Sequence, residues 1–395
     1  MKKSFKVSVV IPSYNHAQFI KKTINSILRQ TLESFEIIII DDCSTDNSLS
    51  EINSIKDKRI KKFFLPENCG TVESINLGIS KASGEYVAVV GSDDIWEKDK
   101  LEKQVRVLED DKNIGACFSW ANVIDENDQV QQLCSSINPD IFIQKNRAQS
   151  RWLRYFFENA NCLCHSSSLI RKKVYDSLGI YNLAYRQLHD FEYWIRIINK
   201  YKIFIIQEPL VKYRRIEKSN ISVSGMTLEN TVRVFNETYN IWLDYFSSYI
   251  SDEIFIEAFK DKLKKKDNLS SEELICEKFF ILRDLNVGGV TCKGLALRFL
   301  AERLNDNVLD CLKNEYNFNL KDFYEESGKE ILFYPETITG RNLLDKINNF
   351  NSVNQKNKNL IKQYESTINE IYSSTSWKIT APLRKISKIF IGKAN

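Results

Sequence analysis

Two adjacent carboxylates, Asp93 and Asp94, are the residues of this sequence best suited to chemistry. They follow an apolar run, residues 86–90, and Gly91. Such a run predicts a short buried strand of a parallel sheet. Neighbouring carboxylates repel each other and are costly to bury unless a cation or hydrogen-bond donors compensate them, so a divalent metal ion is a natural partner. In the alternative, purely structural interpretation, Asp94 caps a helix that begins at Ile95.

A second group of candidate residues lies in the loops after two other predicted strands, at Pro12, Tyr14, Asn15, Asp41 and Asp42. Proline ends the first of these strands because it cannot continue the hydrogen-bonded ladder. Turn formation with a packed ring is the alternative for Pro12 and Tyr14. For Asp41 we expect a structural, hydrogen-bonding role. Ligands of open α/β sheets bind at the carboxyl ends of strands, so we expect these loops to converge with Asp93 and Asp94.

The elements that would position these residues alternate between strands and helices. Strands are predicted at residues 7–12, 35–40, 60–65 and 86–90, and apolar residues at helical spacing lie between them. Strands separated by single helices indicate a parallel, doubly wound α/β sheet. Beyond them, residues 114–120 predict a further strand.

Composition limits the class of protein. The chain has 395 residues, of which 43% are apolar, enough for two or three domains with a real core. A formal net charge of +4 gives no field that points to nucleic acid. Nine irregularly spaced cysteines, without the spacing of a zinc finger, indicate reduced thiols in a cytosolic protein. Neither a signal peptide nor a membrane-spanning segment is expected.

The ordered set of motifs resembles glycosyltransferase family 2, whose catalytic domain has the GT-A nucleotide-sugar fold. The motifs are Val-Ile-Pro-Ser-Tyr-Asn from position 10, Ile-Asp-Asp-Cys-Ser-Thr-Asp from position 40, Asn-Cys-Gly from position 68, Gly-Glu-Tyr-Val from position 84 and Ser-Asp-Asp from position 92. The resemblance covers residues 5–222. It implies an inverting, metal-dependent transfer of a sugar from a nucleoside diphosphate sugar.

The resemblance also implies roles for the strand-end residues. The residues that would bind the nucleotide sugar are Pro12, Tyr14, Asn15, Asp42 and Asp93. Among them, Pro12 and Tyr14 would line the base and ribose pocket, Asp42 would bind the uracil N3–H, and Asp93 would face the ribose. Asp94 would hold a Mg²⁺ or Mn²⁺ ion that bridges the diphosphate. Carboxylate oxygens suit these hard ions, and the ion would neutralise the charge of the leaving diphosphate.

Residues 187–196 resemble the family's Glu-Asp motif at the start of a helix, with His189 in place of the usual Glu. Asp190 aligns with the catalytic base, which takes the proton of the attacking hydroxyl in an inverting transfer. Without the resemblance, Asp190 would be interpreted as a helix N-cap. His189 could be a neutral group that binds the acceptor, or a cation that lowers the pKa of the base.

The segment that begins at Tyr213 closes the region of resemblance. Family members often carry a histidine here that could ligate the metal, and this chain has Ile216 where that histidine might fall. Arg214 or Arg215 could contact the diphosphate through a bidentate guanidinium. A solvated run of charges is the alternative.

Three regions are predicted: a GT-A catalytic domain over residues 1–225, a helical accessory domain over 226–347 and a helical tail over 348–395. Helix packing is the expected role of the accessory domain.

Apolar spacing over residues 360–372 predicts a helix that could pair with a copy of itself to form a homo-oligomer. From Trp377 onward, five basic residues, no acidic residue and an apolar stripe predict an amphipathic helix at the membrane surface. Docking on the protein's own core is the alternative.

Together these features predict a bacterial glycosyltransferase in the cytoplasm, peripheral at the inner face of the plasma membrane. The expected donor is a UDP-sugar, and the expected acceptor is a lipid-linked or growing cell-surface glycan such as O-antigen or capsule. A nucleotidyltransferase is the enzymatic alternative, but the loop after the first strand lacks the Gly-rich, basic sequence that binds a triphosphate. A non-catalytic membrane scaffold that binds sugar nucleotides would be expected to have lost Asp94 or Asp190, and the chain retains both.

Overall fold

The structure is a computed structural model. The residues that it describes are 5–131, 138–216, 227–265, 268–284, 286–287, 290–291, 293–329, 360–364, 366–367 and 370. Met1–Leu332 form one compact unit and Phe333–Asn395 form a second. The described residues of the second unit are helical and lie within the segment predicted to form a helix. The basic amphipathic segment predicted from Trp377 onward lies outside the described residues.

A mixed eight-stranded sheet crosses the first unit. Its strands are β1 (Val7–Ser13), β2 (Phe35–Asp41), β3 (Ile60–Phe64), β4 (Tyr86–Val89), β5 (Ile95–Trp96), β6 (Ile114–Ile124), β7 (Leu169–Arg171) and β8 (Lys202–Arg214). The spatial order is β3-β2-β1-β4-β7-β6-β8-β5. The first four strands in this order are parallel, as predicted. The antiparallel strand β7 then joins β4 to β6, and β5 pairs antiparallel with β8.

Helices connect the strands and continue beyond them. The helices among the described residues are α1 (Ala17–Leu28), α2 (Ser48–Ser54), α3 (Thr71–Lys81), α4 (Lys100–Asp110), α5 (Gln149–Asn159), α6 (Lys172–Leu178), α7 (His189–Lys200), α8 (Leu228–Asp244), α9 (Asp252–Phe259), α10 (Ser271–Arg283), α11 (Lys293–Ala301), α12 (Asp306–Tyr316) and α13 (Leu320–Ser327). A short 3₁₀ turn, His165–Ser167, precedes β7. A small antiparallel pair, β9 (Asn286–Val287) and β10 (Val290–Thr291), lies between α10 and α11.

Alternation along the central strands builds a core on each face of the sheet. Val9 and Ile37 belong to the cluster that includes the apolar side of α1. Val10 and Ile38 belong to the other cluster, which continues through α3, α5 and α7 into the helical region at Trp242. The strands are apolar on both faces because helices cover both, as expected for a doubly wound sheet. The helical region therefore shares a core with the helix that carries Asp190.

Two local predictions are settled by the fold. Asp94 does not begin a helix, because the strand β5 follows it and α4 begins only at Lys100. The interpretation of Asp94 as a helix cap is therefore wrong. The strand predicted at 114–120 continues to Ile124, which then bridges Val130 across a turn.

None of the helices in the described ranges has the length and apolar character needed to cross a lipid bilayer.

Candidate active site

The turn after β4 brings two carboxylates to one point. A Cβ atom on Gly91 would lie 3.0 Å from Asp93 Oδ1 and 3.0 Å from Asp94 Oδ2. Both carboxylate oxygens therefore lie beside the position that a Cβ atom would take, and this space is open because residue 91 is glycine. Contacts of 3.0 Å to a Cβ atom are very tight, so a side chain at position 91 would push the carboxylates aside.

Asp94 is buried and is held at both oxygens. Its Oδ1 accepts the backbone N–H of Arg214 at 2.8 Å, and its Oδ2 accepts the hydroxyl of Ser166. The Ser166 oxygen in turn accepts the backbone N–H of Gly91 at 3.0 Å. Burial raises the pKa of Asp94 well above its ordinary value, and the charge of Asp93 raises it further. A carboxylate in this position gains from a nearby cation.

The Asp93 and Asp94 pair fits a hard divalent cation that a substrate helps to bind. Mg²⁺ is commonly bound by one or two carboxylates together with substrate phosphates. Across the described ranges, no group of three or more His, Cys, Asp or Glu side chains could form a metal site from protein ligands alone. These two residues could therefore hold a metal ion when a diphosphate supplies further oxygen ligands.

The side chain of Arg214 stabilises the turn that carries Asp93 and Asp94. Its Nε donates to the carbonyl oxygen of Asp93 at 2.9 Å, and its terminal nitrogens donate to the carbonyl of Asp125 and to the carboxylate of Asp128. The guanidinium also lies over the ring of Phe19, 4.4 Å from its centre. The side chain is fully buried. This geometry does not present Arg214 to a diphosphate, and it makes Arg214 a support for Asp93 and Asp94.

Arg215 is half-buried next to this support. Its backbone N–H donates to the carbonyl of Ile124 at 2.8 Å, which continues the pairing of β8 with β6. The contact of Arg215 with a diphosphate stays a prediction.

The loops after β1 and β2 are joined through Asn15. Its Oδ1 accepts the backbone N–H of Thr45 at 2.8 Å, and its own N–H donates to the hydroxyl of Ser44 at 2.9 Å. Asn15 has a φ of 52°, a left-handed conformation that asparagine tolerates better than most residues. Beside it, Pro12 is half-buried and Tyr14 is 41% exposed. Tyr14 therefore has ring surface open to a ligand.

The two carboxylates after β2 have separate partners. Asp41 accepts two hydrogen bonds from Ser44, through the backbone N–H at 2.9 Å and the hydroxyl at 2.7 Å, which confirms its predicted structural role. Asp42 accepts the backbone N–H groups of Cys69 and Gly70 at 2.7 and 2.9 Å. Each carboxylate oxygen has a second lone pair. A hydrogen bond from a nucleotide base to Asp42 would have to use one of these remaining lone pairs.

Asp190 is the second residue of α7, after the N-cap residue Leu188, so the N-cap interpretation of Asp190 is wrong. Its Oδ2 accepts the side-chain amide of Asn161 at 3.1 Å, and its Oδ1 accepts the backbone N–H of Phe191 at 2.7 Å. Burial raises the pKa of Asp190, while His189 and these hydrogen bonds oppose that rise. A raised pKa brings a carboxylate closer to the range in which it works as a general base.

One short segment, residues 161–166, contacts both aspartates. Asn161 at one end donates to Asp190, and Ser166 at the other end donates to Asp94. Five residues of extended backbone span at most about 18 Å. The two carboxylates, which are 96 positions apart in the sequence, therefore lie in one region of the molecule.

His165 lies inside this segment and packs against the start of α7. Its ring centre is 5.3 Å from that of His189, and its Nε2 lies 3.0 Å from the hydroxyl of Tyr181. Burial lowers the pKa of His165 well below its ordinary value. A neutral His165 is the form that this packing favours.

The sequence motifs identify the carboxylates but assign no role to Asn161 or Ser166. The polar run from His165 to Ser168, set directly after two buried cysteines, was the available signal. Within this run, Ser166 is the residue whose side chain contacts Asp94.

Comparison with known proteins agrees with the motifs. The sequence profile of Glycosyl transferase family 2 matches residues 8–179. A Methanocaldococcus jannaschii protein, described as an uncharacterized glycosyltransferase, is 33% identical over 219 residues, 54% of this chain and 72% of that protein. TuaG of Bacillus subtilis, provisionally named a teichuronic acid biosynthesis glycosyltransferase, is 43% identical over 104 residues, 26% of this chain and 42% of TuaG.

A solved structure shows the same architecture. Staphylococcus aureus TarS 1–349, crystallised with UDP-GlcNAc, superposes with a TM-score of 0.52 at 16% identity, over 82% of this chain and 89% of that one. At this identity the likeness concerns the fold, and it confirms the predicted GT-A-like α/β architecture followed by helices. Because the predicted family is confirmed by the sequence profile and by a relative matched over most of its length, the chain belongs to glycosyltransferase family 2.

Proposed function

We propose that the protein transfers a sugar, with inversion, from a UDP-sugar to a hydroxyl group of a glycan acceptor. The observation that carries the proposal is the segment 161–166, which contacts Asp94 at one end and Asp190 at the other. A metal-holding carboxylate and a base that share one segment are suited to act on the two sides of a single transferred sugar.

Each part of the transfer has a residue assigned to it. Asp190 takes the proton of the acceptor hydroxyl as that oxygen bonds to the anomeric carbon, and the bond from this carbon to the diphosphate oxygen breaks. Asp94, with Asp93 beside it, would hold Mg²⁺ or Mn²⁺, which when bound neutralises the charge that develops on the leaving diphosphate. Ser166 and Arg214 keep Asp94 in place.

The donor side of the proposal rests on the loops after β1, β2 and β4. The proposed nucleotide-sugar residues are Pro12, Tyr14, Asn15, Asp42 and Asp93. The exposed ring of Tyr14 supports a contact with the base or ribose, and Asn15 supports the shape of the pocket by joining two loops. TarS was crystallised with UDP-GlcNAc. A uridine nucleotide is therefore the donor to test first.

The acceptor and location are proposed from the family and the tail. TuaG is named for teichuronic acid biosynthesis, which supports a cell-surface polysaccharide as the acceptor class. The surplus of basic residues after Trp377 supports attachment to the inner face of the plasma membrane, where a lipid-linked glycan would be met. The division at residues 225 and 347, and self-pairing through residues 360–372, stay predictions.

The test measures UDP release by the full chain with Mn²⁺, a panel of UDP-sugars and a lipid-linked acceptor. Asp190→Asn should lower kcat by about 10²- to 10⁴-fold, the usual contribution of a general base. Asp176→Asn, an exposed aspartate on α6, is the matched control and should keep wild-type activity. Full activity of Asp190→Asn would overturn the assignment of the base. Pyrophosphate release from a nucleoside triphosphate would instead favour the nucleotidyltransferase.

A further inference from the structure

Glu237, on α8 of the helical region, contacts the loop that leads into α7. Its side chain is 4% exposed. Its Oε1 accepts the backbone N–H of Arg186 at 2.8 Å, and its Oε2 accepts those of Gln187 and Leu188 at 2.8 and 2.7 Å. Three successive backbone donors thus converge on one carboxylate that comes from about 50 positions later in the chain.

This carboxylate binds the three residues that lead into α7, up to and including its N-cap residue. The N-cap residue of α7 is Leu188, which has no oxygen in its side chain, and no side-chain cap is formed there. Backbone N–H groups at a helix start need acceptors, and a negative charge is favourable at that end of the helix dipole. Glu237 places a negative charge near this end of α7 from a different element, and it accepts the N–H of the N-cap residue Leu188.

The same contact extends to the catalytic motif. The carbonyl of Arg186, whose N–H is held by Glu237, lies 3.1 Å from His189 Nδ1. A carbonyl oxygen can only accept, so Nδ1 carries a proton in this contact, and the other ring nitrogen is Nε2. That Nε2 is buried and has no hydrogen-bond partner within the described part of the chain. Asp190 is the next residue.

We propose that Glu237 is a positioning residue for the catalytic motif: it fixes residues 186–188, and through them the orientation of His189 and Asp190. The inference rests on the proposed role of Asp190 as base. It gives the helical region a part in catalysis beyond packing, because one of its side chains holds the loop that leads into the helix that carries the base.

The sharpest variant is Glu237→Gln in the full chain. Glutamine keeps the shape, but its amide nitrogen is a donor, so at least one of the three backbone N–H groups loses its acceptor. We expect kcat to fall by about 10- to 100-fold, as misplacement of a reacting group by around 1 Å can do. The KM for the UDP-sugar should stay within about twofold, because the proposed donor residues lie on other elements.

Two further variants make the test specific. Glu237→Asp keeps the charge on a shorter side chain and should recover part of the lost kcat. Glu229→Gln removes an exposed carboxylate from the same helix and should have wild-type kcat. Amide hydrogen exchange, which does not depend on turnover, should be faster at residues 186–191 in Glu237→Gln and unchanged in β1 and β2.

The outcomes separate this inference from the proposed function. If Asp190→Asn is inactive while Glu237→Gln has wild-type kcat and exchange, Glu237 is not a positioning residue and the proposed function stands. A rise in the KM of Glu237→Gln that matches its fall in kcat, together with faster amide exchange throughout the sheet, would indicate a general loss of structure. That result would also overturn the role of Glu237 as a positioning residue. If Asp190→Asn is fully active, the proposed base is wrong, and the loop contact is left without a catalytic role.

Discussion

At the scale of single residues, Asp94 illustrates a conflict between stability and function. It is buried with a raised pKa, although two hydrogen bonds compensate part of its charge. In the folded state a raised carboxyl pKa means that the protonated form is favoured. Its contribution to stability is therefore complete at pH values below the ordinary pKa of aspartate and is lost as the pH rises through the folded-state value.

We predict that Asp94→Asn unfolds at a higher temperature than the wild type near neutral pH. The neutral amide can accept from Arg214 and donate to Ser166 without a buried charge. The difference in Tm should shrink as the pH falls towards the ordinary aspartate pKa, because the wild-type carboxyl then becomes protonated. Thermal unfolding from pH 4 to pH 8 without divalent ions tests this, and a difference that grows at low pH would contradict it.

Ser166 is predicted to tune the metal site through Asp94. In Ser166→Ala the hydroxyl donor to Asp94 is lost, and Gly91 N–H loses its acceptor. We expect the Mn²⁺ concentration for half-maximal UDP release to rise by about 10- to 100-fold, as is typical when a partner of a metal ligand is removed. Ser80→Ala, at an exposed serine of α3, is the control. An unchanged Mn²⁺ dependence would contradict this role of Ser166.

At the scale of elements, the turn His165–Ser167 depends on α4. The amide nitrogen of Gln104 donates to the carbonyls of Ser167 and Cys117 at 2.7 and 2.9 Å, and its oxygen accepts from Lys100 at 2.8 Å. Lys100 is fully buried, which lowers its pKa to about 7. This buried network links α4 to the turn whose Ser166 contacts Asp94.

Gln104→Leu should lower the free energy of unfolding by about 1–3 kcal/mol or more. The leucine leaves two buried carbonyls and the amine of Lys100 without their partner, and each such loss is costly. Denaturant unfolding followed by circular dichroism measures the change. Gln18→Leu, at an exposed position of α1, should change it by no more than about 0.5 kcal/mol. Equal effects of the two substitutions would contradict the role of the network.

Residue patterns reveal strand ends but not the contacts between distant elements. Asp93 and Asp94 could be identified because a buried strand ends beside them, whereas Asp190 could be identified only through the resemblance to the family. The burial of Arg214 could not, since it depends on a turn at Asp125–Asp128 nearly 90 positions earlier. Glu237 lies on a helix with an ordinary amphipathic pattern, and nothing in that pattern marks a residue that holds the loop before another helix.

At the scale of the whole molecule, the predicted attachment to membranes rests on charge in the last residues. We expect the full chain to float with vesicles that contain anionic lipid, and removal of residues 373–395 to abolish this. Attraction of basic residues to an anionic surface is weakened by salt, so binding should fall as the ionic strength rises. The prediction would be refuted if the full chain does not bind anionic vesicles at low salt.

The hydrogen bonds of Glu237 also limit which parts of this enzyme can be exchanged with those of its relatives. A chimaera that joins residues 1–225 to a foreign C-terminal part would retain Asp94, Asp190 and the nucleotide loops. It would still need an acidic side chain presented to the amides of residues 186–188, at the distance that α8 provides here. Grafts should therefore be cut after α8, so that the borrowed portion begins beyond Asp244.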